Sequence, residues 1–176
     1  MSGGDFPISQ FYELNRMAGA GDEVIIAPDA GARAQIAKWA DVEAVDAFQA
    51  KIELRKLSAT RFALEIDLSA DIVQNCGVTL EPIRSHIQTE FTRELMLMQA
   101  HRVAKIIDIE PTPVDEDGRE EIEDMHYDLA IPVLEEFALA IDPYPRAPGV
   151  EFEAPSNEAD SALHPFAALK RLKKEL

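Results

Sequence analysis

Two consecutive runs of strict alternation constrain this chain more than any other feature. Phe48, Ala50, Ile52 and Leu54 alternate with Gln49, Lys51, Glu53 and Arg55. After a short polar turn near Leu57-Ser58-Ala59, Phe62, Leu64, Ile66 and Leu68 alternate with Arg61, Ala63, Glu65 and Asp67. Successive side chains of a strand point to opposite faces, so each run has one apolar and one polar face. Two such runs joined by a short turn make an antiparallel hairpin with one face to cover. Phe48, Ile52, Leu54, Phe62, Leu64, Ile66, Phe91 and Leu95 are the expected core of that sheet. Weaker signals predict a strand at Val24–Ala27, a third at Ile72–Cys76, a fourth over His86–Met98, a continuation over Val103–Ile109 and one more from Ile122 to Tyr127.

Helical spacing occurs twice with start signals. Asp29 is placed to cap a helix running to about Trp39, with Ala32, Ile36 and Trp39 on one face. Asp128 is placed to cap a second helix, with Pro132 in the first turn, where a missing N–H removes no intrahelical bond. Ala130, Val133, Leu134, Phe137 and Ile141 follow at helical spacing, and Asp142-Pro143-Tyr144-Pro145 stops the run. Residues 143–162 are rich in Pro, Glu and Ser and read as solvated linker. Phe166, Leu169, Leu172 and Leu176 form an apolar stripe on a basic terminal helix. With no βαβ alternation the class is α+β: an antiparallel, partly barrel-like sheet with a few packed helices. The expected organisation is one domain over 1–145, an acidic, Pro-rich linker over 146–163 and a basic helix over 164–176.

Charge is distributed unevenly along the 176 residues. The chain has 33 acids and 17 bases, net -16, with pI about 4.5. Residues 51–105 are nearly neutral, residues 106–160 carry net -15, and residues 161–176 carry net +3. Overall charge therefore argues against general nucleic-acid binding, which needs excess Lys and Arg, and against an anionic membrane. The acids peak from Glu110 to Asp128 and include Asp115, Glu116, Asp117, Glu120, Glu121, Glu123 and Asp124, with Arg119 the sole base. Such a run is either a solvated loop or a docking surface for a basic partner. Lys170, Arg171, Lys173 and Lys174 are the candidate RNA contact; equally, they complement a helix C-terminus.

Sites with chemistry are sparse. One cysteine, Cys76, permits no intrachain disulfide and reads as a structural thiol at a strand end. His86, His101, His126 and His164 have no zinc-ligand spacing. Glu135 and Glu136 read as solvated. Gly19-Ala20-Gly21 lacks the phosphate-loop pattern, and no serine sits in a nucleophile elbow. No enzyme activity and no cofactor are expected. No apolar run approaches membrane length and no signal-peptide pattern opens the chain, so a cytoplasmic protein is expected.

Three stretches in order resemble one family. Cys76-Gly77-Val78-Thr79-Leu80-Glu81-Pro82-Ile83 is similar to the central signature of the YceD family, Cys-x-Arg-Cys-Leu-x-Pro. Asp128-Leu129, then Leu134-Glu135-Glu136-Phe137 through Pro143-Tyr144-Pro145, resembles a second signature. His164-Pro165-Phe166-Ala167-Ala168-Leu169 resembles an Asn-Pro-Phe-x-x-Leu ending. The matching positions are Cys76, Leu80, Pro82, Asp128, Leu129, Glu136, Pro143, Pro145, Pro165 and Phe166. Val78 and Thr79 stand where many members carry Arg and the second Cys, which excludes a paired-cysteine role. The resemblance implies a non-catalytic factor for large-subunit ribosomal RNA accumulation. Its partner would be a basic ribosomal protein or a pre-ribosomal particle, with any RNA contact local. The competing reading is a protein-binding module unrelated to ribosomes.

Overall fold

The alternating runs form the two long central strands of the computed structural model, which describes residues 6–17, 19, 21–98 and 119–150. Strand β1 is Phe11–Glu13, β2 Asp22–Ile26, β3 Ala44–Lys56, β4 Arg61–Asn75 and β5 Pro82–Leu97. Strands β6 and β7 are Glu120–Ile122 and His126–Asp128, and the helices are α1, Ala30–Trp39, and α2, Ala130–Ala140. In the β3–β4 hairpin Phe48 faces Ala70, Ala50 faces Leu68, Ile52 faces Ile66 and Leu54 faces Leu64. The amides of Leu57 and Ser58 donate to the Arg61 carbonyl at 2.9 and 3.1 Å and close the turn. A bulge between Val45 and Ala47 shifts the register, so odd-numbered Val45 joins the even-numbered core residues opposite Ile72.

The five-stranded sheet has the order β2-β3-β4-β5-β6, antiparallel throughout except for the parallel β5–β6 pair; β1 and β7 form a separate two-stranded antiparallel ribbon. Several expectations are corrected here. Ile72–Asn75 continues β4, because nothing between Leu68 and Ile72 turns the chain. Ile122–Tyr127 is not one strand. The Asp124 carboxylate accepts the His126 amide at 2.7 Å in a local turn, and Leu14 N–H donates to the Met125 carbonyl at 2.9 Å. Ile122 and Tyr127 consequently lie in different sheets. The sheet is also not barrel-like: β2 and β6 are separate edges, five and three residues long. Closure requires strands paired all round, and here packed helices cover the apolar face instead. Residues 103–109 and 164–176 lie outside the described residues.

Both helices cover the same side. The Asp29 carboxylate accepts the Ala32 amide at 2.8 Å and caps α1, which buries Ile36 and Ala37. Half-buried Trp39 meets the ring of Phe6 at 5.7 Å. Helix α2 buries Val133, Leu134 and Phe137, and the Phe137 ring meets Phe48 edge-on at 5.2 Å. Asp128 lies one residue before the cap position and accepts the amides of Ala130 and Gln10 at 3.0 and 2.7 Å. The expected core is buried except Phe91, which is half-buried on β5. The opposite sheet face carries the polar halves of the strands, and among the described residues no helix lies over it.

Candidate interaction surfaces

The first arrangement is centred on Cys76, at the turn from β4 to β5. Its amide donates to the Glu81 carbonyl at 2.8 Å, and its carbonyl accepts the Leu80 amide at 2.9 Å. That path puts Leu80 at φ 60, with its side chain exposed. The thiol is fully buried, and Sγ accepts the amides of Thr79 and Ala147, each at 3.5 Å. Hydrogen bonding by Thr79 foremost, then by Ala147 and Val78, brings the thiol down to about 6, against the opposing pull of burial. The chain after α2 is thereby fastened to this turn: Gly77 N–H donates to the Pro145 carbonyl at 2.9 Å, and Gln74 Nε2 donates to the Asp142 carbonyl at 2.9 Å. Residues 142–147 are docked, which corrects the reading of 143 onwards as free linker.

The second arrangement is the polar face of the sheet, opposite the helices. Register places Glu23, Glu53, Glu65 and Thr92 in one cross-strand row, and Ile25, Lys51, Asp67 and Glu90 in the next. Glu53 therefore lies opposite Glu65, and Asp67 opposite Glu90. Like charges in directly opposed positions destabilise a sheet. Lys51 bridges Glu23 and Glu53 at 3.0 and 2.9 Å, and Arg55 reaches Glu65 at 2.8 Å. These bonds raise the Lys51 ammonium, and Lys51 holds the Glu53 carboxyl below its ordinary range. Among the described residues neither Asp67 nor Glu90 has a cationic partner. Glu53, Glu65, Asp67, Glu90 and Thr92 line an open groove of about 350 Å³.

The acidic run predicted from sequence divides at β6. Glu121 lies opposite Met96 and extends the open face beyond Glu94. Glu120 lies opposite Leu95 on the packed side, where it accepts the Tyr127 hydroxyl at 2.9 Å and meets Arg93 at 3.6 Å. Burial, then the Glu120 charge, pushes the Tyr127 hydroxyl up. Glu123 and Asp124 are exposed in the bend. Glu135 is exposed, as expected, yet pairs with Arg93 at 3.2 Å and ties α2 to β5. Asp115, Glu116 and Asp117 lie outside the described residues, as do Lys170, Arg171, Lys173 and Lys174. Among the described residues no three His, Cys, Asp or Glu side chains converge as a metal site requires, and no helix is long and apolar enough to cross a membrane.

The family model for YceD, described as large ribosomal RNA subunit accumulation protein, matches residues 64–173. The chain belongs to the YceD family. No curated protein and no solved structure matches it. The match begins within β4 and contains all three resembling stretches; residues 1–63, including β1, β2, α1 and β3, precede it. Folding gathers two of those YceD stretches. Cys76 and Pro145 lie on neighbouring backbones, although the Cys76 thiol and the Ala147 amide that it accepts are 71 residues apart. Asp128 and Leu129 are buried at the start of α2, Glu136 is half-buried, and Leu80, Pro82 and Pro143 are exposed. Pro165 and Phe166 lie outside the described residues. The acidic face was missed by summing charge along 51–105. The signal that finds it is the parity of Glu53, Glu65, Asp67 and Glu90 once the hairpin register is known.

Proposed function

We propose that this YceD family member supports large ribosomal RNA subunit accumulation in the cytoplasm by binding, without catalysis or cofactor. Its acidic surface would hold a basic ribosomal protein or a basic segment of a pre-ribosomal particle. The family supports the ribosomal setting. The observation that carries the mode of action is the polar sheet face, where Asp67 and Glu90 oppose each other and, among the described residues, neither forms an ion pair with a cation. A cationic partner would relieve that repulsion and be steered by it, an effect that fades as salt screens it, with a Debye length of about 8 Å at physiological strength. RNA contact, on this reading, is left to Lys170, Arg171, Lys173 and Lys174. The test is co-sedimentation with precursor large subunits at low and high salt. Glu65→Gln, Asp67→Asn and Glu90→Gln together should weaken association and flatten its salt dependence. Neutralising the four terminal bases should reduce RNA crosslinking only. Precursor association unchanged in both variants would overturn the proposal.

A further inference from the structure

Strand β5 pairs with β4 in one unbroken register, from Asn75 opposite Pro82 to Arg61 opposite Met96. Its other edge is used only briefly. Among the described residues β6 alone pairs there, at Leu95, Met96 and Leu97. Two hydrogen bonds show which backbone groups face that edge. Leu97 N–H donates to the carbonyl of Thr60, just before β4, and Met98 N–H donates to the Ile122 carbonyl on the β6 side, each at 2.8 Å. Backbone groups alternate in direction along a strand, so odd-numbered residues bond β4 and even-numbered ones point away from it. Arg84, His86, Gln88, Glu90 and Thr92 therefore aim their N–H and C=O groups outward along a stretch without a bulge. Pro82, which has no N–H, bounds it at one end and β6 at the other. A long regular edge is a template for a further strand.

The side chains along this edge are complementary to themselves. Odd positions face the packed side, where Ile87 is buried and Phe91 is only half-buried. When two copies of β5 are laid antiparallel about Thr89, Ile87 falls opposite Phe91, Gln88 opposite Glu90, His86 opposite Thr92, Ser85 opposite Arg93 and Arg84 opposite Glu94. The even pairs bring the outward backbone groups together as hydrogen-bonded pairs. The odd pairs are then the close ones, with Cα atoms about 4.5 Å apart, where an aromatic and a β-branched side chain pack well. No like charges oppose each other. A shift of the axis by one residue loses this match. Centred on Gln88, Phe91 meets Ser85 and Ile83 meets Arg93; centred on Glu90, two Glu90 carboxylates oppose each other and Ile87 meets Arg93. A strand returning directly after β5 fits less well, because its first pairs would fall at Leu97 and Leu95, where β6 already lies.

We infer that two copies of this chain associate through β5, antiparallel about a two-fold axis at Thr89, so that their sheets join edge to edge. The inference goes beyond the basic-partner reading and stands without it. If both hold, the polar faces of two copies become continuous, and Asp67 and Glu90 recur across the axis. The salt dependence is distinctive. Each chain carries net -16, so two copies repel at long range, and screening should tighten the dimer as salt rises. Binding of a basic partner follows the opposite trend.

The experiment is sedimentation equilibrium of the full chain across the micromolar range. The unmodified chain should pass from monomer to dimer, more readily at high salt. Gln88→Pro removes one outward N–H at an edge position where proline is tolerated. It should raise the dimer dissociation constant roughly tenfold or more while the circular dichroism and melting of the monomer stay the same. In a Cys76→Ser background, Thr89→Cys puts two thiols across the axis within disulfide reach, and mild oxidation should link the copies. Ser85→Cys in the same background should not link, because it lies opposite Arg93. A chain monomeric throughout, equal linking at positions 85 and 89, or a dimer indifferent to Gln88→Pro would overturn the inference. So would a monomer that Gln88→Pro melts, since the edge would then be occupied within one chain, for instance by Val103–Ile109. A dimer without precursor association defeats the ribosomal proposal alone.

Discussion

Cys76 shows how one side chain can serve as an anchor between distant segments. Its sulfur accepts two amides, one from its own turn and one from Ala147. Cys76→Ser keeps an acceptor and should fold nearly normally, whereas Cys76→Ala strands two N–H groups and should lower the melting temperature more. The pH dependence has a defined sign. The thiol lies near 6 folded against 9.0 ordinarily, so the unfolded chain binds more protons between those values. Stability should rise from pH 6 to 9 and be lost as pH falls through 6. That slope should vanish in Cys76→Ser, as measured by denaturant midpoints across the range. Gly21 is the other exacting position. At φ 89, an added Cβ would stand 2.6 Å from the Leu54 carbonyl oxygen on β3. Gly21→Ala should therefore cost about 1 kcal/mol or more, read from the same midpoints.

The elements differ in what stabilises them. The β3–β4 hairpin is held by its buried face, so Phe62→Ala should cost roughly 3–5 kcal/mol; an unchanged melting temperature would show that this face is not core. Helix α2 depends on Asp128 as well as on Phe137. Removing the Asp128 carboxylate frees the amides of Ala130 and Gln10 together. Asp128→Ala should cost about 1–2 kcal/mol, and hydrogen exchange should accelerate first in α2 and in the β1–β7 ribbon, which Asp128 joins. Acceleration spread evenly over β3 and β4 would contradict that placement.

Across the whole molecule the fold sorts charge by face. One layer of helices and apolar strand positions is opposed by a face rich in carboxylates. A surface kept for a partner is not optimised for stability. Glu90→Lys, which places a cation opposite Asp67, should stabilise the isolated protein by about 0.2–1 kcal/mol and weaken binding to precursor subunits. A gain in stability with precursor association unchanged would show that the acidic face is a solubility device. The contrast between thermal melts and co-sedimentation of the same variant decides the matter.

Periodicity made much of this legible in advance. Alternation at Phe48–Leu54 and Phe62–Leu68, helical spacing after Asp29 and Asp128, and Pro132 in a first turn are consequences of local backbone geometry, so neighbouring residues suffice to reveal them. The Cys76 and Pro143–Pro145 stretches were also visible as family resemblance. Their meeting was not, because Gln74 and Asp142, 68 residues apart, are joined only by the path that α2 takes across the sheet. The division of Ile122 from Tyr127 and the open edges at β2 and β6 have the same origin: which strands become neighbours depends on what else covers the core. The acidic face arose likewise. Glu53, Glu65, Asp67 and Glu90 are diluted by bases along the chain, and become one surface only when register lays three strands side by side.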